Sequence, residues 1–405
     1  MQEKYYKYAK LLLTKGLCIN ENQPLVINAP ITTIDFIRVL TTIACQLGVK
    51  DIYYDWYDDE LKHTQLKYYD EKDIKKSLFW NKEIHDVYAK KNAAFLFLIS
   101  SNDNIMDDIQ TNKLKIASST SLSTRSHYRK LQENNQISWC IAAVSTEEWG
   151  HLLFPKSSNP TEELWNLIFD ICMINEKDPI SMWEEKMLNC KNHCHQLNNL
   201  NIKTLHYTNS LGTNLTIELP YQAIWCGGSS IINGQEPIVN IPTEEVFTTP
   251  NKYKTTGIVY CSKPLVHSGI VITGIMLEFK NGKVINYDAK TGKEELKNIL
   301  EYDEESSLLG EVALVPYNSR ISTTNILFYE TLYDENASCH IALGRGFKEC
   351  LTNGHKLTNS QLEQSGYNKS NNHVDIMIGT KDLTIIATTY NNEKIQLFKD
   401  GNFSI

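Results

Sequence analysis

The fold of the first half of the chain follows from Pro24–Trp56, PLVINAPITTIDFIRVLTTIACQLGVKDIYYDW. It starts with PLVIN, a short apolar run typical of a buried strand, and the following Thr33–Leu47 has the length and apolar spacing of a helix. Gly48 is a residue type that ends helices, and DIYYDW (Asp51–Trp56) predicts a second strand. A strand, a helix and a strand in this order predict a βαβ unit with parallel strands.

The same alternation continues up to about residue 200. FLFLIS (Phe95–Ser100) and SWCIAAV (Ser138–Val144) predict two more strands, and helical spacing follows over Thr161–Ile174 and from Ser181 to about Leu197. The asparagine-rich segment NNLN (Asn198–Asn201) is the predicted domain boundary. We therefore expect residues 1–200 to form an α/β domain with a mainly parallel sheet.

Strand-like runs dominate the second half of the chain. They are TLHYT (Thr204–Thr208), LTIEL (Leu215–Leu219), GIVYC (Gly257–Cys261), MLEFK (Met276–Lys280) and KVINY (Lys283–Tyr287). Asn281-Gly282 and Asn391-Asn392 predict hairpin turns, and Lys293–Leu300 predicts a helix. Residues 201–405 are thus predicted to be a strand-rich α+β domain that carries the catalytic metal site.

Composition limits the class of protein. The chain has 405 residues, 41% of them hydrophobic and 22% charged, which fits two domains. With 40 basic and 48 acidic residues its net charge is −8, which argues against a nucleic acid as the main partner. No apolar run reaches the roughly 18 residues of a membrane span. The polar start MQEKYYKYAK does not resemble a signal peptide. We therefore expect a cytoplasmic protein without a membrane partner.

The ten cysteines are scattered along the chain. Without an export signal they are expected to be reduced thiols of the protein core. The tightest group, CKNHCH at Cys190–His195, could form half of a zinc site, but no second half follows at zinc-finger spacing. Cys190 and Cys194 lie four residues apart in a helix-like stretch, which favours the alternative that they mark one face of a helix.

Familiar catalytic signatures are absent from the sequence. There is no GxSxG, Walker loop or HExxH, and GRGFKE (Gly344–Glu349) has a glutamate where a dinucleotide fingerprint needs its third glycine. The segment HVD is more informative. On a strand, His373 and Asp375 project from the same face, as an imidazole and a carboxylate suited to zinc, cobalt or manganese. An ordinary polar strand edge would show the same pattern.

Three further residues are candidates for the same metal site. Glu311 begins the apolar run EVALVP, Glu245 lies in NIPTEEVFTTP, and His340 lies in ENASCHIAL. Burial of such groups without a charged partner is costly. Three carboxylates and two imidazoles can coordinate two divalent ions, and this is the composition of a two-metal hydrolase. The alternative is a set of unrelated polar residues at strand ends.

Four long motifs resemble those of the thermophilic-type metallo-aminopeptidases, the group of aminopeptidase T, AmpS and PepS. The motifs are NIPTEEVFTTP (Asn240–Pro250), LGEVALVPYNSRIS (Leu309–Ser322), LFYETLYDENASCHIALGRGF (Leu327–Phe347) and HVDIMIG (His373–Gly379). Shorter similarities, among them KYAKLLLTKGLCINENQPLVINAP and WCIAAVSTEEWGHLLFP, extend the resemblance over nearly the whole chain, in order.

The resemblance implies a metal-dependent aminopeptidase that removes N-terminal residues from short peptides with a free N-terminus. It implies two divalent ions as cofactors, of which zinc, cobalt, manganese and magnesium are candidates, and a homodimer with an enclosed active site. The family's metal ligands fall on Glu245, Glu311, His340, His373 and Asp375. Of the adjacent Glu244 and Glu245, the second occupies the ligand position, and Glu311 is also the expected catalytic proton carrier.

One position departs from the family pattern. The family has a tyrosine seven residues after the ligand His340, and this chain has Phe347, which keeps the ring and loses the hydroxyl. The resemblance gives that hydroxyl a catalytic role in stabilising the tetrahedral intermediate. Tyr367 or a solvent molecule are candidates to replace it, and the hydroxyl could also be dispensable. The alternative functions are a catalytically impaired peptide- or metal-binding relative and a metallo-hydrolase of other small amides.

Overall fold

A computed structural model describes residues 1–77, 79–102, 105–106, 108–124, 126–229 and 231–405. Contacts divide the chain into two compact units. Unit 1 comprises Met1–Glu184 and Ser229–Pro242, and unit 2 comprises Glu185–Gly228 and Thr243–Ile405. The sequence analysis placed a single boundary after residue 200, and that boundary stays a prediction.

The helices and strands are numbered in chain order. The helices are α1 Gln2–Leu11, α2 Ile34–Gln46, α3 Asp59–Tyr68, α4 Glu71–Ser77, α5 Phe79–Lys90, α6 Thr111–Thr124, α7 Ser126–Glu133, α8 Glu147–Leu153, α9 Pro160–Ile171, α10 Pro179–Asn199, α11 Lys293–Leu300, α12 Thr331–Glu335 and α13 Asn359–Gln364. The strands are β1 Leu25–Pro30, β2 Ile52–Tyr57, β3 Ala94–Ile99, β4 Trp139–Ala143, β5 Ile202–Thr208, β6 Asn214–Glu218, β7 Cys226–Gly227, β8 Asn240–Ile241, β9 Val246–Thr248, β10 Thr255–Tyr260, β11 Leu265–His267, β12 Ile270–Ile272, β13 Met276–Lys280, β14 Lys283–Asp288, β15 Leu309–Leu314, β16 His340–Gly344, β17 His373–Met377, β18 Thr384–Thr389, β19 Lys394–Lys399 and β20 Asn402–Phe403. Among the described helices, none combines the length and the apolar character needed to cross a bilayer.

Unit 1 contains the βαβ unit predicted from Pro24–Trp56, which is confirmed. β1 and β2 are parallel, with Leu25 opposite Ile52, and α2 connects them. α2 buries Phe36 and Leu40, four residues apart on one face of the helix. The sheet has the order β2-β1-β3-β4-β8 and its pairs are parallel. The predicted α/β class of the first half, with a mainly parallel sheet, is confirmed.

Unit 2 is rich in antiparallel strands, as predicted. One sheet has the order β14-β13-β10-β6-β5-β18-β19-β20. The hairpin predicted at Asn281-Gly282 joins β13 to β14, with φ values of 51° and 83°. These positive angles are those of a type I′ turn, which asparagine and glycine tolerate well. The hairpin predicted at Asn391-Asn392 joins β18 to β19.

A second sheet of unit 2 has the order β17-β16-β15-β9-β7 and is antiparallel. Ala313 of β15 lies opposite His340 of β16, and Ala342 of β16 lies opposite both Glu311 and Asp375. Side chains that are directly opposite share a face of the sheet, and so do residues two apart on one strand. His340, Glu311 and Asp375 therefore project from one face, and the two alanines leave space among them.

A bulge at Gly310 sets the register of β15 against β16. An added Cβ at Gly310 would lie 2.1 Å from the carbonyl oxygen of Gly344 and 2.4 Å from the carbonyl carbon of Arg345. The Thr249 hydroxyl donates to the Gly310 carbonyl at 2.8 Å. Since the neighbouring atoms are backbone, only glycine fits here, and its place in the bulge brings Glu311 opposite β16.

We expect Gly310→Ala to lower the free energy of unfolding by about 3 kcal/mol because the methyl group overpacks the backbone. Chemical denaturation measures this loss, and divalent-ion affinity should fall with it. Gly212→Ala is the control in the same unit. There an added Cβ would meet only the Tyr260 ring, at 3.2 Å. The loss of unfolding free energy should therefore come mainly from the backbone strain at a φ of +102° and be about 1–2 kcal/mol. Equal losses in the two variants would contradict the role given to Gly310.

Candidate metal centre

The structure brings all five predicted ligands together on one face of the β17-β16-β15-β9-β7 sheet. Oε2 of Glu245 lies 3.2 Å from Nε2 of His340, and Oε2 of Glu311 lies 3.2 Å from Nε2 of His373. Oδ1 of Asp375 lies 3.4 Å from Nε2 of His373 and 4.0 Å from Nε2 of His340. As predicted, His373 and Asp375 share a face of their strand. The role of the five residues as ligands stays a prediction.

The donors form two groups that share one carboxylate. Glu245, Glu311 and His340 offer atoms that all lie within 4.8 Å of one another, and so do Glu311, His373 and Asp375. Each group combines imidazole nitrogen with carboxylate oxygen, which are donors for zinc, cobalt and manganese. Glu311 belongs to both groups.

Both histidines are oriented by backbone carbonyls. Nδ1 of His340 donates to the carbonyl of Ser338 at 3.1 Å, and Nδ1 of His373 donates to the carbonyl of Arg345 at 2.7 Å. A proton on Nδ1 leaves the lone pair of the neutral ring on Nε2, which is the nitrogen that faces the carboxylates in each case. This is the arrangement in which a histidine serves as a metal ligand with a fixed tautomer.

One buried oxygen is left without a partner. Oδ1 of Asp375 is buried and accepts no well-formed hydrogen bond from the described residues, although two imidazoles are near. Buried polar atoms are nearly always paired. Together with the donor set, this atom fits the presence of divalent cations between the side chains.

Charges in the cluster perturb its titration strongly. The pKa of Glu311 is raised to about 7, chiefly by burial; the hydrogen bond to His373 opposes this rise, and the charges of Glu245 and Asp375 contribute to it. Burial alone would lower the pKa of His340, but the carboxylates, Glu245 first among them, raise it well above 6.5. The pKa of His373 is raised in the same way, with Asp375 as the main carboxylate. Without cations the cluster therefore retains protons near neutral pH.

Glu335 is a carboxyl near the cluster that the sequence analysis did not include. Burial, followed by the charges of Asp375 and Glu245, raises its pKa well above the ordinary value. It hydrogen-bonds Asp375, and its Oε1 accepts from Nδ2 of Asn336 at 3.3 Å. The only feature of the sequence that could have indicated Glu335 was its position five residues before His340, in ENASCHIAL. Because α12 carries it, strand periodicity could not relate it to the other carboxylates.

The adjacent Glu244 and Glu245 have different partners. Glu244 is half-buried and forms an ion pair with Lys186, and its backbone N–H donates to Oδ1 of Asn336 at 2.7 Å. Glu245 makes the contact with His340. These contacts support Glu245 as the ligand, and they give Glu244 a structural role beside it.

Phe347 lies beside the cluster. Its ring centroid is 5.1 Å from that of His373 and 5.4 Å from that of Phe247. Tyr367, a candidate replacement for the missing hydroxyl, donates its O–H to the carbonyl of Gly346 at 2.8 Å in a buried position. Its hydroxyl is therefore engaged with the backbone next to Phe347.

The CKNHCH segment lies in α10, where Cys190 and Cys194 are both buried. Among the described residues, the groups of three or more metal-binding donors include neither cysteine. The alternative of a helix face is therefore supported. The cysteines are free thiols, as expected, but not all of them lie in the core, since Cys45 is exposed and Cys18, Cys226 and Cys261 are half-buried.

The α/β unit, the strand-rich unit and the clustered carboxylates and imidazoles define the class as a metal-dependent hydrolase. The chain belongs to the thermophilic metalloprotease family (M29), whose model matches residues 1–403. The predicted family is thereby confirmed, and the family implies the use of a divalent metal.

The relatives extend over the whole chain. Aminopeptidase AmpS of Bacillus subtilis (strain 168) is 34% identical over 407 residues, which cover 99% of this chain and 98% of that protein. Aminopeptidase 2 of Geobacillus stearothermophilus is 34% identical, with 98% and 97% covered. The structure of wild-type AmpT from Thermus thermophilus matches with a TM-score of 0.92 and 28% identity over 100% of both chains. The predicted fold class and enzyme class, a metal-dependent aminopeptidase, are confirmed.

We expect the affinity for a divalent ion to rise with pH between about 6 and 8. The pKa of Glu311 is about 7 and those of His340 and His373 are raised well above 6.5, so an ion must displace their protons. Each proton released changes the dissociation constant about ten-fold per pH unit. Calorimetric titration of the metal-free protein in two buffers of different ionisation enthalpy gives the number released.

His193→Gln is the control for this measurement, since His193 stacks on Phe403 and is not among the donors. It should leave the pH dependence unchanged, whereas Glu311→Gln should reduce the number of protons released. An affinity that is flat between pH 6 and 8 would contradict the assignment of these donors.

Proposed function

We propose that this chain is a two-metal aminopeptidase that removes N-terminal residues from short peptides with a free N-terminus. The observation that carries the proposal is the pair of donor groups that share Glu311, one completed by Glu245 and His340 and the other by His373 and Asp375. A carboxylate shared between two donor groups suits two ions a few ångströms apart, the arrangement of two-metal peptidases.

Two divalent ions held by these residues would polarise the scissile carbonyl, lower the pKa of a water molecule and bind the free amino group of the substrate. Zinc, cobalt, manganese and magnesium are the candidates, and the imidazole donors favour the first three. Glu311 is the proposed proton carrier to the leaving amine, since burial raises its pKa to about 7 and lets it exchange protons near neutral pH. Burial and the charges of Asp375 and Glu245 raise the pKa of the neighbouring Glu335 as well.

Recognition of the free amino group explains why the proposed activity is that of an exopeptidase. A free amino group has a lone pair that a divalent ion held at the cluster would accept, whereas the lone pair of an acylated nitrogen is delocalised into its carbonyl and is a poor ligand. A homodimer and a cytoplasmic location remain part of the proposal on the strength of the family resemblance and the sequence. A monomeric mass in light scattering at micromolar concentration would refute the dimer.

The function is tested with metal-free protein reconstituted separately with zinc, cobalt, manganese and magnesium. We expect hydrolysis of fluorogenic leucine and methionine amides and no hydrolysis of their N-acetylated forms. Glu311→Gln should reduce kcat/KM by at least about 10²-fold, because it replaces the carboxylate common to both groups with a neutral amide. His193→Gln, which leaves every donor in place, should retain wild-type activity. Equal turnover of substrates with free and with N-acetylated amino groups would contradict the assignment as an exopeptidase.

A second candidate function, an impaired peptide- or metal-binding relative, is favoured by one observation, Phe347 in the place of the family tyrosine. Loss of a donor to a developing oxyanion costs about 10²–10³ in turnover. If the hydroxyl matters here, Phe347→Tyr should raise kcat on an unblocked dipeptide by about ten-fold or more, at saturating metal. Phe403→Tyr, on a half-buried ring elsewhere in unit 2, is the control. An unchanged kcat in both variants would show that the hydroxyl is dispensable.

A further inference from the structure

Two phenylalanine rings lie beside the donor cluster without contributing a donor to it. Phe347 packs edge-to-face against His373, with centroids 5.1 Å apart and an interplanar angle of 62°. Phe247 packs edge-to-face against Phe347, at 5.4 Å and 68°. Both residues are half-buried, so each ring keeps apolar surface exposed next to a group of charged side chains.

Strand register places Phe247 on the donor face. Phe247 of β9 lies opposite Ala313 of β15, and Ala313 lies opposite His340 of β16. Glu245 precedes Phe247 by two residues, so both point to the same side of the chain where the strand is extended. The ring therefore occupies the face that bears the ligands, one strand away from Glu311. The residue opposite it on β15, Ala313, has only a small side chain.

A substrate amino group bound at the cluster would place its own side chain near these rings. The Cα of an N-terminal residue is one bond from the nitrogen, so the side chain begins within a few ångströms of the cluster. Burying a large apolar side chain against exposed aromatic surface is worth about 1.5–3 kcal/mol. An anionic side chain such as that of aspartate would lose hydration there beside the carboxylates of the cluster, and alanine would leave the rings partly exposed.

From this we infer that Phe247 and Phe347 form the subsite for the side chain of the substrate's N-terminal residue, and that the enzyme prefers large apolar N-terminal residues. The inference rests on the proposed aminopeptidase function and names its substrate class. It assigns the ring at position 347 a role in binding that does not depend on whether a hydroxyl is present. It also assigns a role to Phe247, which the metal chemistry does not use.

A positioning role for the rings has a different consequence. If Phe347 only held His373 in place, its removal would lower kcat for all substrates by the same factor. A subsite changes the ratio of kcat/KM between substrates, because the lost contact belongs to one kind of side chain. Removal of a hydrophobic contact of this size changes such a ratio by about 10–200-fold.

The experiment compares Phe247→Ala and Phe347→Ala with the wild type, as full-length, metal-loaded protein. The substrates are fluorogenic amides of leucine, phenylalanine, alanine and aspartate with free amino groups. The wild type should prefer leucine to alanine by about ten-fold or more in kcat/KM. Each variant should reduce that ratio by about ten-fold and leave turnover of the alanine substrate within about three-fold.

Phe403→Ala is the matched control, because Phe403 is a half-buried ring of unit 2 that contacts His193 and Phe398. It should leave the leucine-to-alanine ratio unchanged. Thermal melts and metal stoichiometry report whether each variant is folded and loaded. Phe247→Leu and Phe347→Leu keep apolar volume, so they replace any alanine variant that does not fold. They should lower the phenylalanine-to-leucine ratio.

The outcomes separate the inference from the proposed function. A wild type that hydrolyses free amides without preferring large apolar residues overturns the inference and leaves the function standing. So does a ratio that neither substitution changes, or an equal loss on every substrate. Absence of turnover of any free amide with any of the four metals overturns the proposed function, and the inference with it.

Discussion

Cross-strand register in the β17-β16-β15-β9-β7 sheet is the constraint on which the candidate site depends. Side chains alternate between faces with a period of two, so a slip of one residue would turn a donor away from the others. The bulge at Gly310 is part of this register, because it decides which residue of β15 lies opposite Ala342. Backbone pairing thereby assembles, from distant parts of the chain, carboxylates that repel one another.

Repulsion among the carboxylates opposes the arrangement of donors that strand pairing imposes. Three carboxylates and two imidazoles share a buried space, and their charges can be balanced only by protons or by cations. The raised pKa values of Glu311, His340 and His373 show the first solution in the metal-free chain. Backbone carbonyls accept from Nδ1 of both imidazoles, which leaves Nε2 of each ring directed toward the carboxylates.

Much of the fold could be predicted from local patterns, since the βαβ unit and the Asn-Gly hairpin depend on neighbouring residues. The shared face of His373 and Asp375 also follows from a period of two. Glu311 and His373 are close because β15 pairs with β16 and β16 pairs with β17. Periodicity within one strand does not predict which strands pair. Residue type and position made the five donors candidates, and the family resemblance then identified them as the ligand set. Glu335 was not predicted because it lies on a helix, where strand periodicity does not apply. The place of β8 in the first sheet was not predicted either, because β8 follows the predicted domain boundary in the chain.

The connections of this sheet differ sharply from its strands in their tolerance of length changes. A residue inserted in β16 would turn the side chains that follow it to the opposite face of the sheet. Doubling the length of a flexible loop, by contrast, costs only about 0.6 kcal/mol of conformational free energy. The connections at residues 315–339 and 345–372 are long, and their ends carry Glu335 and Phe347. Gaps in an alignment with distant members of the family therefore belong in the middle of these connections, and the three strands can be aligned first without gaps.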